Sequence, residues 1–404
     1  MTNVAGSKCW MVAMIAALAA GACSSKGGGR SGTGGAADGG TEQAGAGDGF
    51  GQEGGAGMTG NAGLPPTGCG DGGQTGAGGG HGSMTVTLLG TGSPIPAADR
   101  FGNSTLVEAA GLRLVFDIGR GAPIRLWQKQ IPLGTINAHF LTHLHSDHVN
   151  GLPDLWLSGW IQTPFGSRKS PFVIYGPAGT EALMAKLWDA FSEDRRIRLA
   201  DEMDPIEGIE YQARDVDPGM VYCQNGVAVT TFDVDHGDLV KPARGYKITY
   251  GAHAVVISGD TRYSDNVEQA AQGVDLLIHE VAMIPAALVT KYPTYQAILA
   301  HHISPEDAGR LFAAAQPKLA VYSHVVLSGL PSEGIPFPTP ADVLAATSTT
   351  YSGPVIVGTD LMSFRIDDGG VSMVGGSGGA AGGASGAAGG AGGAGGAGGM
   401  SASP

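Results

Sequence analysis

Between residues 84 and 368 the chain alternates two kinds of apolar pattern. Short runs rich in β-branched and aromatic residues, bounded by Gly, Asp or Pro, read as strands. They fall at 84–92 (MTVTLLGTG), 104–109, 112–119, 138–143, 172–176, 227–235, 245–250, 254–261, 276–281, 319–324, 354–358 and 361–366. Helical periodicity marks 179–198, 267–273, 304–316 and 340–351, and LPDLWLSGW at 152–160 is helix-like too. Ser304 with Asp307 three residues on supplies an N-cap signature for the third of these. Early strands come in hairpin succession and later ones alternate with helices. That order predicts an α/β fold in which two sheets pack face to face with helices outside, a four-layer αββα sandwich over 84–368.

Outside that span the pattern fails. Of the 70 glycines, most lie towards the two ends, and neither 24–83 nor 369–404 has enough apolar side chains to offset chain entropy. The first is expected to be a Gly-rich disordered tether and the second a Gly/Ala-rich disordered tail. Ahead of the tether, Lys8 precedes CWMVAMIAALAAGA, a run too short to span a bilayer and suited to the core of a signal peptide. Ala20, Gly21 and Ala22 before Cys23 resemble the lipobox of bacterial lipoproteins. Residues 1–23 are therefore expected to be a lipoprotein signal peptide, with Cys23 lipidated and the membrane engaged through that anchor. Ser24, where inner-membrane retention uses aspartate, points to the outer membrane. An ordinary secretory signal is the alternative, and both readings export the protein. Cys69 and Cys223 could pair in an oxidising compartment or remain free thiols.

Charge narrows the partners. The chain carries 36 acidic against 23 basic residues, a formal net charge of −13. Such an acidic protein is a poor electrostatic match for phosphate backbones, which disfavours nucleic acid and leaves a small molecule as the expected substrate.

The candidate chemistry stands where strands end. LTHLHSDH places His143, His145, Asp147 and His148 just after an apolar run, and His236, Asp260, His279 and His324 each close a later strand-like run. His143 and His145, two apart, share a direction on an extended segment. Three imidazoles and a carboxylate crowded together are costly unless a cation neutralises them. A local cluster joined by remote strand-end ligands is what a two-metal hydrolytic centre needs. His81, His139, His253 and His301 read instead as ordinary hydrogen-bonded histidines.

These motifs resemble the metallo-β-lactamase fold superfamily, and more narrowly its branch of ribonuclease Z and bacterial arylsulfatases. The likeness runs through LLGTGSPIP, FDIGRG, FLTHLHSDHVNGLPDL, YGPAG, DHG, VVISGDTRYSD, LLIHE, HHISPEDAG and LAVYSH. It implies that His143, His145 and His236 hold one zinc, that Asp147, His148 and His324 hold a second, and that Asp260 bridges them. Mn2+ or Fe2+ would suit the same donors. It further implies that Glu280 and His302 form a proton-donating pair for the leaving group, with Asp147 also able to accept a proton from the attacking water. Members that cleave β-lactams commonly carry Cys or Ser where Asp260 stands, so ester chemistry is favoured.

The departures matter equally. Ribonuclease Z carries a lysine in the loop matching PAADRFGN, which here keeps Pro96, Arg100 and Asn103 but has no lysine. It also carries a basic tRNA-gripping arm, whereas only GAH separates GYKITY from AVVISGDT. The expectation is therefore an arylsulfatase- or phosphodiesterase-like hydrolase of small phosphate or sulfate esters. The alternatives are a ribonuclease Z-type endonuclease, a lactonase or β-lactamase-like carbonyl hydrolase, and a non-catalytic surface module. Trp156 and Trp160, four apart, are candidates for a pocket floor as well as for core packing. Monomer and homodimer both stay open.

Overall fold

The structure, a computed structural model, describes residues 82–374. The expected signal peptide, Cys23, Cys69, nearly all of the tether and the tail beyond 374 lie outside the described residues. The question whether Cys69 and Cys223 pair therefore falls on a residue outside them.

In chain order the strands are β1 Met84–Gly90, β2 Ser104–Ala109, β3 Leu112–Phe116, β4 Ala138–Phe140, β5 Phe172–Gly176, β6 Tyr211–Asp215, β7 Gly219–Gln224, β8 Val227–Asp233, β9 Arg244–Tyr250, β10 His253–Ile257, β11 Leu276–Met283, β12 Leu319–Leu327, β13 Val355–Val357, β14 Ser363–Asp367 and β15 Gly370–Val374. They form an eight-stranded sheet in the order β15-β14-β1-β2-β3-β4-β5-β6 and a seven-stranded sheet in the order β13-β12-β11-β10-β9-β8-β7.

Strand periodicity explains why there are four layers. In β3, Leu114 and Phe116 point into the core between the sheets, while Val115 between them joins the core under the first set of helices. In β11, Leu276 and Ile278 face the inter-sheet core and Leu277 faces the outer core. That outer core is completed by helix Pro305–Ala315, through Ala308, Leu311 and Phe312. On the opposite flank, helices Ala122–Gln128, Leu152–Trp160 and Thr180–Ala190 supply Leu126, Leu155, Trp156 and Met184. The expected αββα sandwich is the observed one. The expected N-cap forms as well, with Ser304 accepting from the Asp307 N–H at 3.1 Å.

Several elements differ from the expectation for physical reasons. Strands β6, β7 and β15 are unexpected: β6 is largely exposed and charged or polar, β7 holds only the short run Met220–Cys223, and β15 is short, largely exposed and opens on Gly370. Strand β15 also lies beyond Asp368, where the hydrophobic pattern stops. The stretch 179–198 breaks at Phe191 into Thr180–Ala190 and Ser192–Ile197. Phe191 takes φ −102° and ψ 23° there, outside the helical range, and the Arg195 guanidinium lies 3.6 Å over the Trp188 ring across the break.

Candidate metal centre

The site lies where the two sheets meet at one edge. The first sheet supplies the segment after β4, which carries His143, His145, Asp147 and His148; the second supplies His236 after β8, Asp260 after β10 and His324 from β12. Donor atoms of His143, His145, His236 and Asp260 form one group within 4.8 Å, and those of Asp147, His148 and His324 form another. Asp260 sits between them. Its Oδ2 is 3.3 Å from Nε2 of both His148 and His324, 3.8 Å from His143 Nε2 and 3.9 Å from His236 Nε2.

A β-bulge aims His324. Tyr322 pairs with His279 and Val325 with Val281, so Ser323 and His324 together oppose Glu280 alone. His324 takes φ 45°, a left-handed conformation rare for a non-glycine residue, which turns its ring out of the strand alternation. The neighbouring Val325 N–H is fixed by the Thr91 carbonyl at 3.0 Å.

The surrounding hydrogen bonds decide which ring nitrogens are free to bind a cation. Asp117, missed in the sequence reading, is buried at the end of β3 with φ 55°. It accepts from the Thr142 N–H (2.8 Å), the Thr142 hydroxyl (2.9 Å), Asn103 Nδ2 (3.0 Å) and His148 Nδ1 (2.8 Å). His148 therefore donates through Nδ1, which leaves Nε2 facing Asp260 Oδ2 at 3.3 Å. The Thr142 hydroxyl donates to Asp117, so it accepts from His143 Nδ1 at 3.0 Å, which leaves the lone pair of His143 on Nε2. His236 Nδ1 donates to the His301 carbonyl at 2.9 Å, and its Nε2 lone pair likewise faces inward. His301 thus contributes through its backbone, which no side-chain pattern could have revealed.

The inward nitrogens lie close together: His145 Nδ1 is within hydrogen-bond distance of His143 Nε2 at 3.0 Å and of His236 Nε2 at 3.2 Å. Burial holds His143 well below the ordinary imidazole value and His236 down to about 4, so neither is available to relieve the crowding by protonation. His148 goes the other way: burial alone would lower it, but the Asp260 and Asp117 carboxylates outweigh burial and raise it well above. His148 Nε2 is buried without a hydrogen-bond partner among the described residues. Closely grouped imidazole nitrogens on one side and carboxylates demanding positive charge on the other fit a pair of divalent cations. The donor set could hold two.

Glu280 and His302 lie against this group. Glu280 is buried; its Oε1 accepts from the Ile303 N–H at 2.9 Å and the Thr261 N–H at 3.3 Å, and its Oε2 is 3.1 Å from His302 Nδ1. Burial alone would lower His302, yet the adjoining Glu280 carboxylate overrides it and raises the imidazole to about 9. A donor atom of His302 is also grouped with Asp260 and His324 within 4.8 Å. Asp147 Oδ2 lies 3.1 Å from His324 Nε2.

Trp156 and Trp160 are a correction. Both are fully buried in the core beneath the first sheet, and their indole N–H groups donate to the Ile209 and Pro205 carbonyls at 2.9 and 2.7 Å. Neither floors a pocket; the face they share is the packing face. Their helix is brought close instead by small residues. A Cβ on Gly119 would stand 2.4 Å from the Gly102 carbonyl carbon and 2.6 Å from the Asp147 oxygen, and one on Gly151 would stand 2.3 Å from the Gly119 oxygen. These glycines let three backbone segments touch beneath Asp147 and His148.

Comparison with known proteins follows the same lines. Residues 84–300 match the family described as anti-Pycsar protein Apyc1. Ribonuclease Z of Mycobacterium bovis is 35% identical over 285 residues, covering 69% of this chain and 96% of that protein. Ribonuclease Z of Mycobacterium marinum is 32% identical over 285 residues, covering 69% and 97%. Among solved structures, the metallo-β-lactamase fold protein YhfI of Bacillus subtilis superimposes with a TM-score of 0.52 at 18% identity, covering 70% of this chain and 99% of its own. The short form of human tRNase Z gives 0.51 at 22% identity, covering 69% and 98%. These two likenesses are of fold.

Proposed function

The chain belongs to the metallo-β-lactamase-fold family shared by Apyc1 and ribonuclease Z and is a metal-dependent hydrolase of ester bonds, from which premise we propose that it hydrolyses small phosphate or sulfate esters with two zinc ions. The observation that carries this reading is the Glu280–His302 pair set against the two ligand groups around Asp260.

His143, His145 and His236 would hold one ion and Asp147, His148 and His324 the other, with Asp260 shared. Two such ions supply Lewis acidity towards the non-bridging ester oxygens and the attacking water. Asp117, Thr142 and the His301 carbonyl orient the imidazoles so that no ligand has to reorganise. His302, held through Nδ1 by Glu280, presents its other nitrogen as proton donor to the departing oxygen. Asp147, at the edge of its group, is placed to take a proton from the incoming water.

A second reading, tRNA processing, is favoured by the relatives named ribonuclease Z. Against it stand the acidic charge and the β9–β10 hairpin, where Tyr250 pairs directly with His253 and leaves no room for an arm.

Export through a lipidated Cys23 completes the proposal. Among the described residues no helix is long and apolar enough to cross a membrane.

The test is a substrate panel on the zinc-loaded protein: aryl phosphodiester, aryl sulfate, cyclic nucleotide, lactone, β-lactam and precursor tRNA. Turnover of the phosphate or sulfate esters, abolished in His143→Ala, is expected. Turnover confined to tRNA or to the carbonyl substrates would overturn the proposal.

A further inference from the structure

Behind Asp260, on the side away from the converging imidazoles, lies a cavity of about 10 Å³ lined by Asn103, Ser258, Asp260, His279, Ser323 and His324 among others. That is the space of a single water molecule. Three buried polar atoms on its lining residues have no hydrogen-bond partner among the described residues: His279 Nε2, Asp260 Oδ1 and His324 Nδ1. Their residues are at most 2% exposed. Leaving three such atoms unpaired is costly.

The hydrogen positions can be worked out. His279 Nδ1 lies 2.8 Å from the Glu280 carbonyl, which can only accept, so Nδ1 carries the hydrogen and Nε2 is an acceptor. Asp260 directs Oδ2 at the imidazoles, which leaves Oδ1 as a second acceptor. His324 directs Nε2 at Asp147 and Asp260; as a ligand through Nε2 it carries its hydrogen on Nδ1 and donates. Two acceptors and one donor are the complement of one water, which has two hydrogens to give and a lone pair to receive.

We infer that a buried water joins His279 to Asp260 and His324, and that His279 is through it a positioning residue for the ligand shared by both metal groups. The inference rests on the metal reading for the hydrogen on His324. It also accounts for a histidine that the sequence places among the strand-end candidates yet the structure leaves out of both ligand groups. His279 immediately precedes Glu280 and stands beside the bulge that holds His324, so one short stretch of β11 supports both the ligand shell and the proton donor.

The experiment combines a crystal structure of the zinc-loaded wild type, at a resolution that shows ordered water, with zinc affinity by chelator competition. Affinity is compared for wild type, His279→Leu and His279→Gln. A water within hydrogen-bond distance of all three atoms is expected. His279→Leu should weaken zinc binding about tenfold, and His279→Gln, which keeps an acceptor, should recover part of that loss. A zinc-loaded wild type with no water among the three atoms overturns the inference, as does a His279→Leu variant that holds zinc as tightly as wild type. If the leucine variant does not fold, the wild-type density decides. A wild type that binds no zinc overturns the metal reading itself, a result separate from either.

Discussion

Replacing Glu280 by glutamine tests the proposed proton donor with little disturbance of shape. The amide oxygen can keep accepting from the Ile303 and Thr261 N–H groups, so the local fold is retained. Its NH2 then faces His302 Nδ1, donor against donor, unless the imidazole gives up that proton. His302 would be left neutral, with its one hydrogen on Nε2, and its cationic form would lose the carboxylate beside it. A charge-assisted hydrogen bond of this kind contributes about 1.5–3 kcal/mol. At 1.36 kcal/mol per decade that is roughly a ten- to hundredfold loss of rate. The loss should fall on substrates whose leaving group needs a proton. The assay is kcat/KM for phosphodiesters graded from nitrophenyl to alkyl leaving groups, with zinc content and Tm measured alongside. Alkyl esters are expected to slow by the stated factor and nitrophenyl esters hardly at all. A loss of equal size across the series, with zinc content intact, would refute the assignment of His302 as proton donor.

Three further outcomes follow from the geometry. Asp117→Ala removes the acceptor that orients His148 and should weaken zinc binding about 10- to 100-fold, read by chelator competition; unchanged affinity would show that Asp117 serves only the fold. Trp156→Ala should cost about 3–5 kcal/mol in denaturant unfolding while KM stays unchanged in the folded fraction, and a KM rise without destabilisation would restore the pocket reading. Asp275 is the pH probe: burial alone would raise it, but Lys318 Nζ at 2.7 Å and the Ala254 N–H at 2.8 Å hold it below the ordinary carboxylate value. A depressed folded value contributes stability above the unfolded value of about 3.9 and loses it as pH falls through the folded one. Asp275→Asn should therefore cost about 1 kcal/mol at pH 7 and progressively less below about pH 4, and a difference independent of pH would refute the linkage.

Candidate ligand positions were legible because side-chain type and strand-end placement are both written in the sequence: His143, His236, Asp260 and His324, which the structure groups, could be picked out before any coordinates. What orients them was not. The His301 carbonyl and the bulge at Ser323–His324 are backbone features, and Asp117 looks like any acid closing a strand. Trp156 and Trp160 misled for a related reason, since four-residue spacing identifies a shared face without saying what covers it. Strands β6, β7 and β15 escaped because each is a short edge strand, and an edge strand with one or no buried partner face leaves at most a few apolar positions to read.

The contact of Gly102, Gly119 and Gly151 beneath Asp147 and His148 has a consequence for interpreting saturation mutagenesis. A methyl group at any of them would push against backbone that cannot yield, at 2.7 Å or less. In a library selected for turnover these positions should be as intolerant as the histidines, although they hold no functional atom. A library sorted for folded protein alone would separate the two classes, since ligand variants should survive that sort far better than variants of the glycines. Intolerance in both screens would mark the ground on which the chemistry stands, and intolerance in the first alone would mark the chemistry.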